Sequence, residues 1–171
     1  MRVIIGEAPS FQGDGTPFTG PSGRRLCDLL GVPDMDALRQ IFELDNIFHH
    51  HAPLWDAFDR RHAQQIAQGK MNSYLTETSS VEVIMCGKKV AQAFGHPYDI
   101  FRRIQDRNVS LWSFPHPSGL NHFWNDPVNV AQAGHFLKMR AELPPHHLAG
   151  EHIPIAQAIS EVSPSHTRMT R

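Results

Sequence analysis

Two short apolar runs, each followed at once by glycine, constrain this chain more than any other feature. Val3-Ile4-Ile5 leads into Gly6, and a longer run over residues 81–86 leads into Gly87. Apolar, β-branched runs of this length are typical of buried strands, and a glycine directly after them indicates a turn at the carboxyl end of the strand. We therefore expect strands that are covered on both faces, with loops that open at one edge of a sheet.

Further elements follow from the pattern of apolar residues. It predicts strands near residues 42–48 and 109–114, and helices near 24–30, 35–42, 55–75, 88–94 and 127–143. Gly31 and Gly95 are stop signals after two of these helices, and Asp34 is placed to cap another. Strands that alternate with helices imply right-handed crossovers and parallel pairing. The sequence thus predicts a three-layer α/β/α sandwich with a central, mostly parallel four-stranded sheet.

Length and cysteine content limit the class of protein. The chain has 171 residues, of which 40% are hydrophobic, enough for one globular domain. We assign this domain to residues 1–143 and expect residues 144–171 to be a C-terminal extension with one short helix near 153–161. Cys27 and Cys86 are too few for a disulfide framework, a four-cysteine zinc site or a cysteine-bound iron–sulfur cluster. We expect buried thiols and no metal or other cofactor.

Charge and hydropathy exclude further classes. The formal net charge of -1 argues against a protein that grips nucleic acid through overall electrostatics, although a local basic surface remains possible. No apolar run approaches the ~20 residues that cross a bilayer, and the N-terminus lacks the pattern of a signal peptide. We expect a soluble, cytoplasmic protein that works as a monomer without membrane contact.

Three polar side chains fall where the predicted strands end. Glu7 follows the first strand, Asn46 lies near the end of the second, and His116 follows the fourth. Because the carboxyl ends of parallel strands meet at one edge of the sheet, we expect these residues to converge where ligands bind. Each also has an ordinary structural explanation: a helix cap for Glu7, a turn former for Asn46 and a loop residue for His116.

Residues 49–51 are three consecutive histidines after the second predicted strand. Adjacent histidines point in different directions, and no carboxylate or second histidine pair stands at ligand spacing. We therefore predict a loop here and no metal site.

Several motifs, taken in order, resemble the uracil-DNA glycosylase superfamily. Gly6-Glu7-Ala8-Pro9 and Pro17-Phe18-Thr19-Gly20 are similar to the iron–sulfur branch, where Gly-Glu-Ala-Pro-Gly precedes Pro-Phe-Val-Gly and a helix. Leu44-Asp45-Asn46-Ile47 is similar to the strand that carries the base-reading Asn. His116-Pro117-Ser118-Gly119-Leu120-Asn121 blends the His-Pro-Ser loop with the Asn-Pro-Ser-Gly-Leu-Asn loop of the mismatch-specific branch. The resemblance extends over roughly residues 2–141.

The resemblance implies a DNA glycosylase that flips a nucleotide and hydrolyses the N-glycosidic bond of uracil or a related deaminated or modified pyrimidine. Its partner would be single- or double-stranded DNA. Glu7 falls on the catalytic carboxylate, and His116 on the histidine that faces O2 of the base. Ala8 belongs to the base-binding set but stands where other branches have an Asp or Asn that handles water.

The resemblance also implies contacts to the base and the strand. Phe18 falls on the aromatic residue that stacks against the extruded base, and Asn46 on the amide that reads its Watson–Crick edge. Leu120 falls on the wedge that fills the vacated stack, and its place between Gly119 and Asn121 favours an exposed side chain. Residues expected at the DNA are Ser22, Arg24, Lys88, Ser118, Gly119, Leu120 and Asn121. Four cations lie near helix starts, where either phosphate contact or ordinary solvated charge is expected: Arg24, Arg25, Lys88 and Lys89.

Departures from the family pattern leave two alternatives open. Ser10 replaces the usual Gly, and the cluster cysteines are absent. The histidines at 49–51 have no counterpart in the commonest pattern, and we expect their loop to be structural or to face DNA. One alternative is a superfamily member that acts on a free nucleotide or nucleoside, which suits the near-neutral charge. The other is a binding protein that keeps the base pocket without cleavage.

Overall fold

A computed structural model of the chain describes residues 1–9, 15–50, 55 and 57–142, apart from the side chains of residues 57 and 58. One sheet of five strands forms the centre, in the order β2-β1-β3-β5-β4. The strands are β1 Arg2–Gly6, β2 Glu43–Asn46, β3 Val81–Cys86, β4 Arg103–Asp106 and β5 Val109–Phe114. The helices are α1 Pro21–Leu30, α2 Met35–Ile41, α3 Ala57–Glu77, α4 Lys88–Ala93 and α5 Pro127–Glu142, with a 3₁₀ turn at His122–Asn125.

Helices cover both faces of this sheet. Successive residues of each strand point to opposite faces of the sheet. Ile4 and Ile84 therefore pack with α1, α2 and α5, whereas Val3 and Val83 pack with α3 and α4. All six residues of β3 are buried. The predicted three-layer α/β/α sandwich is therefore confirmed. Cys27 and Cys86 are both buried free thiols, as expected, and burial raises the pKa of each.

The sheet has one strand more than the four that the sequence predicts. Strand β4 pairs antiparallel with β5 through a tight turn at Arg107 and Asn108, where Arg107 has a φ of 50°. Because β4 lies at the edge and Ile104 is its one apolar residue, it lacks the apolar alternation by which strands are predicted. The turn also lacks the Asn-Gly or Asp-Gly pair that usually marks a two-residue hairpin.

Helix boundaries largely follow their capping signals. Helix α1 begins at Pro21, three residues earlier than predicted, and ends at Leu30. The next residue, Gly31, caps it with a left-handed φ of 76°. Asp34 caps α2 by accepting a hydrogen bond from the Ala37 amide at 2.9 Å. The extension from residue 144 and its expected helix lie outside the described residues. Among those described, no helix is long and apolar enough to span a membrane.

The parallel strands bring the predicted site loops to one edge. Strands β2 and β3 both pair parallel with β1, one on each side, and β5 pairs parallel with β3. The chain moves from β1 to β2 in one direction and to β3 in the other, so the strand order reverses beside β1. In open α/β sheets the crevice at this reversal, outside the carboxyl ends of the strands, is where ligands bind.

A buried charge cluster lies toward the opposite edge of the sheet. Glu82 is 3% exposed and accepts a hydrogen bond from Trp112 Nε1 at 2.9 Å. Its carboxylate is 3.4 Å from Arg140 Nη1 and 3.5 Å from Arg2 Nε. Burial lowers the pKa of Arg140, and the nearby Glu82 carboxylate opposes that shift. One carboxylate thus compensates two guanidinium groups in the interior.

We expect Glu82→Gln to destabilise the fold by about 3–5 kcal/mol, because it leaves buried arginines without a counter-charge. The amide keeps the shape and an acceptor for Trp112, so the loss reports the charge. Urea unfolding measures the change. As a control, Asp99→Ala breaks the exposed pair with Arg102 and should cost about 1 kcal/mol or less. Equal losses in both variants would contradict the expectation.

Candidate active site

Phe18 and Asn46 meet above the end of β1. Both are buried, with 7% and 3% of their surface exposed. A Cβ atom placed on Gly6 would lie 2.5 Å from Asn46 Oδ1 and 3.0 Å from Phe18 Cζ. The missing side chain at Gly6 is therefore what allows the ring and the carboxamide to approach the strand end together. The structure brings together Phe18 and Asn46, two of the three residues that the resemblance assigns to base binding.

The backbone at Phe18 has an unusual conformation. Its φ is 59°, in the left-handed region that non-glycine residues rarely adopt. A Cβ atom at Gly23 would lie 2.0 Å from the Phe18 carbonyl oxygen, so this glycine in α1 lets the loop pass close to the helix. The ring also belongs to the apolar cluster below α1. Phe18 thus serves the core and, at the same time, lines the site.

The side-chain NH₂ group of Asn46 is buried. Among the described residues, none forms a hydrogen bond with its Nδ2 atom. Leaving a buried donor unsatisfied costs about 1–3 kcal/mol, and such groups in native proteins are commonly satisfied by a ligand or water. The Nδ2–H group of Asn46 therefore has donor capacity that no described residue uses.

Glu7 forms an ion pair across the crevice. Its Oε1 lies 2.6 Å from Nζ of Lys89, the second residue of α4, so the pair joins the loop after β1 to the start of the helix after β3. The Lys89 ammonium also lies 5.4 Å from the centre of the Trp55 ring, whose Nε1 donates to Gln92 at 3.3 Å. Ala8, next to Glu7, is partly buried and carries no polar group.

His116 is largely enclosed, and its ring is oriented by its own loop. Burial lowers its pKa; the Glu7 carboxylate partly opposes this shift, and Lys89 adds to it. The Ser118 amide donates to His116 Nδ1 at 3.2 Å, so the neutral ring carries its proton on Nε2. Gly87 has a φ of 97°, and a Cβ there would lie 3.1 Å from His116 Cβ and Cδ2. A glycine at position 87 is required for this packing.

The backbone carbonyls of His116 and Pro117 also accept hydrogen bonds. The His116 carbonyl accepts from Trp124 Nε1 at 2.8 Å and from Asn121 Nδ2 at 3.0 Å. The Pro117 carbonyl accepts from Arg25 Nη1 at 2.7 Å, and the Arg25 guanidinium lies 5.2 Å from the centre of the Trp124 ring. Helix α1 and the 3₁₀ turn thus fix the loop that carries His116.

Sequence reasoning missed three features of this arrangement. The sequence predicts either phosphate contact or solvated charge for Arg25 and Lys89, not these partners, and Trp55 belongs to no motif. Their partners lie far away in the chain, with Lys89 and Glu7 separated by 82 residues and Arg25 and Pro117 by 92. The spatial proximity of the β1 and β3 loops in a parallel sheet was the one available signal.

The residues predicted at the DNA lie near the same edge. Leu120 is 92% exposed, as expected for this residue. Arg24 and Lys88 are exposed in the first turns of α1 and α4. The other members of the set, at partly buried or exposed positions, are Ser22, Ser118, Gly119 and Asn121. Their contacts with DNA stay predictions.

Asn121 has a clear role inside the loop. Its Nδ2 donates to the His116 carbonyl, and its Oδ1 accepts from the Phe123 amide at 3.1 Å. Both ends of the carboxamide are therefore engaged within the protein. This arrangement caps the 3₁₀ turn and supports the loop.

The positions that depart from the family pattern are only partly described. His49 and His50 are exposed, whereas His51 and Ser10 lie outside the described residues. Within the described ranges, no group of three or more His, Cys, Asp or Glu side chains is arranged to hold a metal ion.

Fold and site together define an α/β protein with a cluster of polar side chains at the point where the strand order reverses. Residues 2–143 match the family model for the uracil DNA glycosylase superfamily. No curated protein matches the chain. Because the match covers most of its length, the chain belongs to the uracil DNA glycosylase superfamily, whose members are usually glycosylases that act on DNA.

Gly6→Ala should displace the Asn46 carboxamide, because the new methyl group would overlap Asn46 Oδ1. We expect a large shift of the Asn46 side-chain NH₂ resonances in nitrogen-edited NMR spectra and a loss of about 1–3 kcal/mol of stability. As a control, Gly69→Ala in α3 places its methyl group in open space and should stabilise the protein by about 0.5–1 kcal/mol. Unshifted Asn46 resonances in Gly6→Ala would contradict this geometry.

Proposed function

We propose that the protein is a DNA glycosylase that hydrolyses the N-glycosidic bond of uracil, or of a related deaminated or modified pyrimidine, in DNA. The observation that carries the proposal is the buried Asn46 carboxamide beside the Phe18 ring, whose Nδ2 atom has no hydrogen-bond partner among the described residues. It lies at the edge where Glu7 and His116 also lie. Membership of the superfamily supports the reaction class.

The carboxamide of Asn46 is complementary to one edge of a keto pyrimidine. Its NH₂ group donates to the 4-keto oxygen, and its carbonyl accepts from the neighbouring N3–H. Cytosine presents an amino group and a bare ring nitrogen there, so two donors and two acceptors would face each other. The Phe18 ring supplies a stacking surface, while the small side chain of Ala8 leaves room in the pocket.

His116 is suited to stabilise the leaving base. The base departs as an anion, so a hydrogen-bond donor aimed at its O2 oxygen lowers the barrier. The Ser118 amide holds Nδ1 as an acceptor, which leaves Nε2–H as that donor. Because burial lowers the pKa of His116, the ring is neutral at neutral pH and donates a hydrogen bond without transferring a proton.

Glu7 is suited to act on the sugar. As the glycosidic bond breaks, the sugar becomes oxocarbenium-like, and a carboxylate nearby stabilises this charge or orients the attacking water. Ala8 supplies no second polar group, so Glu7 is the acidic residue of this motif that faces the crevice. In the free protein Lys89 pairs with Glu7, which offsets the repulsion between the carboxylate and the DNA phosphates.

The substrate base must leave the stack before it can reach this pocket, and glycosylases recover that cost through new contacts. Leu120, exposed at the tip of the loop after β5, would fill the gap in the duplex. Phosphate contacts would come from Ser22, Arg24, Lys88 and Ser118, with Gly119 and Asn121 shaping the loop. Since water is the nucleophile in this mechanism, we propose a monofunctional enzyme. We also propose that it acts as a monomer and in the cytoplasm.

An abasic-site assay tests the proposal. Purified protein is incubated with uracil-containing single-stranded DNA, the same strand in a duplex, and deoxyuridine monophosphate. Alkali-labile DNA with release of free uracil supports the proposal. Cleavage of the nucleotide alone supports a nucleotide hydrolase, and tight binding to uracil-containing DNA without cleavage supports a binding protein.

In single-turnover reactions on uracil-containing DNA, we expect His116→Ala to slow base release by about 10²–10³-fold, because it removes a donor to the developing anion. Glu7→Gln should lower the rate by about 10²-fold or more, because it removes the negative charge near the sugar. Circular dichroism and thermal unfolding check the fold of both variants. Wild-type rates in either folded variant would remove that residue from the mechanism.

The dependence on pH follows from His116. Activity needs the neutral ring, and burial places its pKa below the ordinary value of 6.5, so the rate should hold through pH 6.5 and fall only at lower pH. Lys89 contributes to the lowering, so Lys89→Met should raise the pKa of His116 in NMR titrations. The His116 signal is identified by its loss in His116→Gln. An unchanged or lower pKa in Lys89→Met would contradict this assignment.

A further inference from the structure

Asn46 lies at the end of the edge strand β2, where its backbone amide receives no support from the sheet. The next residue, Ile47, donates its amide to the Gly6 carbonyl of β1 at 2.9 Å. Successive amides of a strand point in opposite directions. The Asn46 amide, next to that of Ile47, therefore points away from β1 toward the open edge. Exposed strand edges of this kind need another partner.

That partner is the carboxylate of Asp45. Its Oδ1 accepts from the Asn46 amide at 2.8 Å, and Lys70 Nζ lies 2.8 Å from each of its two oxygens. The Tyr74 hydroxyl also donates to Asp45 Oδ2 in a short hydrogen bond. Burial, and then the Asp45 carboxylate, raise the pKa of Tyr74, so its hydroxyl remains a donor.

Lys70 and Tyr74 come from one face of α3. They are four residues apart, which places them side by side on a helix. The same face otherwise carries small apolar residues, Ala63 and Ala67, that pack on the sheet. The Lys70 and Asp45 side chains are only 16% and 20% exposed. Partly buried ion pairs add little stability compared with apolar residues of similar size, so stability alone gives a weak reason for this cluster.

The cluster and the Asn46 carboxamide lie on opposite faces of the sheet. Neighbouring side chains on a strand point in opposite directions, so Asp45 faces α3 while Asn46 faces Phe18 and Gly6. The Asn46 Nδ2 atom has no hydrogen-bond partner among the described residues. The direction of the carboxamide is therefore set largely by the main chain, and Asp45 holds that main chain from the other side.

We propose that Asp45, supported by Lys70 and Tyr74, is a positioning residue that fixes the backbone of Asn46 and so sets the selectivity of the site for a keto pyrimidine. The inference rests on the proposed function, in which Asn46 reads the base. Asp45 does not touch the substrate. It aligns the Asn46 carboxamide before the base binds. A preorganised site discriminates better between bases because binding does not have to order its side chains.

The first experiment measures the backbone and needs no activity. Hydrogen exchange of the Asn46 amide, followed by NMR, should become about tenfold faster or more in Asp45→Ala, because its acceptor is lost. Asp45→Asn keeps a carbonyl acceptor and should restore much of the protection. Asp99→Ala, at an exposed ion pair with Arg102, serves as the matched control and should leave Asn46 unchanged. Unchanged exchange in Asp45→Ala overturns the proposal.

The second experiment measures base selectivity as binding. Two duplexes are compared, one with a 2′-fluorinated deoxyuridine that resists hydrolysis and one with a stable abasic-site analogue at the same position. Asp45→Ala should lose about tenfold in affinity for the uracil duplex and little for the abasic duplex, with recovery in Asp45→Asn. Equal losses on both duplexes, or no loss on either, overturn the role in selectivity.

The two experiments separate the inference from the proposed function. If wild-type protein releases no uracil and does not prefer the uracil duplex, the proposed function fails and takes the selectivity role with it, while the exchange measurement still decides whether Asp45 positions Asn46. If wild-type protein releases uracil but Asp45→Ala keeps normal exchange and normal preference, the proposed function stands and the inference is wrong.

Discussion

The site depends on parallel pairing that continues past the ends of the strands. Ile47 and Phe48 donate their amides to the carbonyls of Gly6 and Glu7, each at 2.9 Å, and Gly87 donates to Phe114 at 2.8 Å. These hydrogen bonds join the loops in pairs, the β1 loop to the β2 loop and the β3 loop to the β5 loop. The Glu7–Lys89 ion pair then links one pair of loops to the other. Side chains from four separate segments thereby share one crevice.

Close approach at this edge is possible because two glycines leave space. Gly6 admits the Asn46 carboxamide and the Phe18 ring, and Gly87 admits the His116 ring. In both places a methyl group would meet a side chain that the proposed chemistry needs. The same two glycines therefore determine both the packing of this edge and the geometry of the site. A substitution that adds a side chain at either glycine would displace a functional side chain on the neighbouring segment.

The sequence predicts the parts of this protein that are determined locally. The buried runs before Gly6 and Gly87 define β1 and β3. Asp34 and Gly31 mark helix ends by capping. Glu7, Asn46 and His116 reach one edge because the carboxyl ends of parallel strands lie there. What it does not predict depends on contacts between distant segments. Strand β4 is held by its pairing with β5 and shows no pattern of its own.

The same limit applies to side-chain partners. Lys89 on Glu7, Arg25 on Pro117 and Lys70 on Asp45 bridge 82, 92 and 25 residues. Each cation looks like solvated helix charge when it is read in its own segment, because the choice between solvent and a partner is made by side-chain geometry after the fold has formed. A motif can indicate which residues touch the ligand, but it does not indicate which distant residues hold them in position.

The ion pair at the crevice also affects how the protein meets a polyanion. Glu7 and Lys89 cancel at short range, and the whole chain has a net charge of -1, so the pocket exerts little long-range pull on a phosphate backbone. Without such steering, encounter with DNA, the proposed substrate, would proceed at rates near those of neutral partners. An enzyme of the proposed kind would then gain little from sliding along intact duplex and would meet its target through repeated brief collisions.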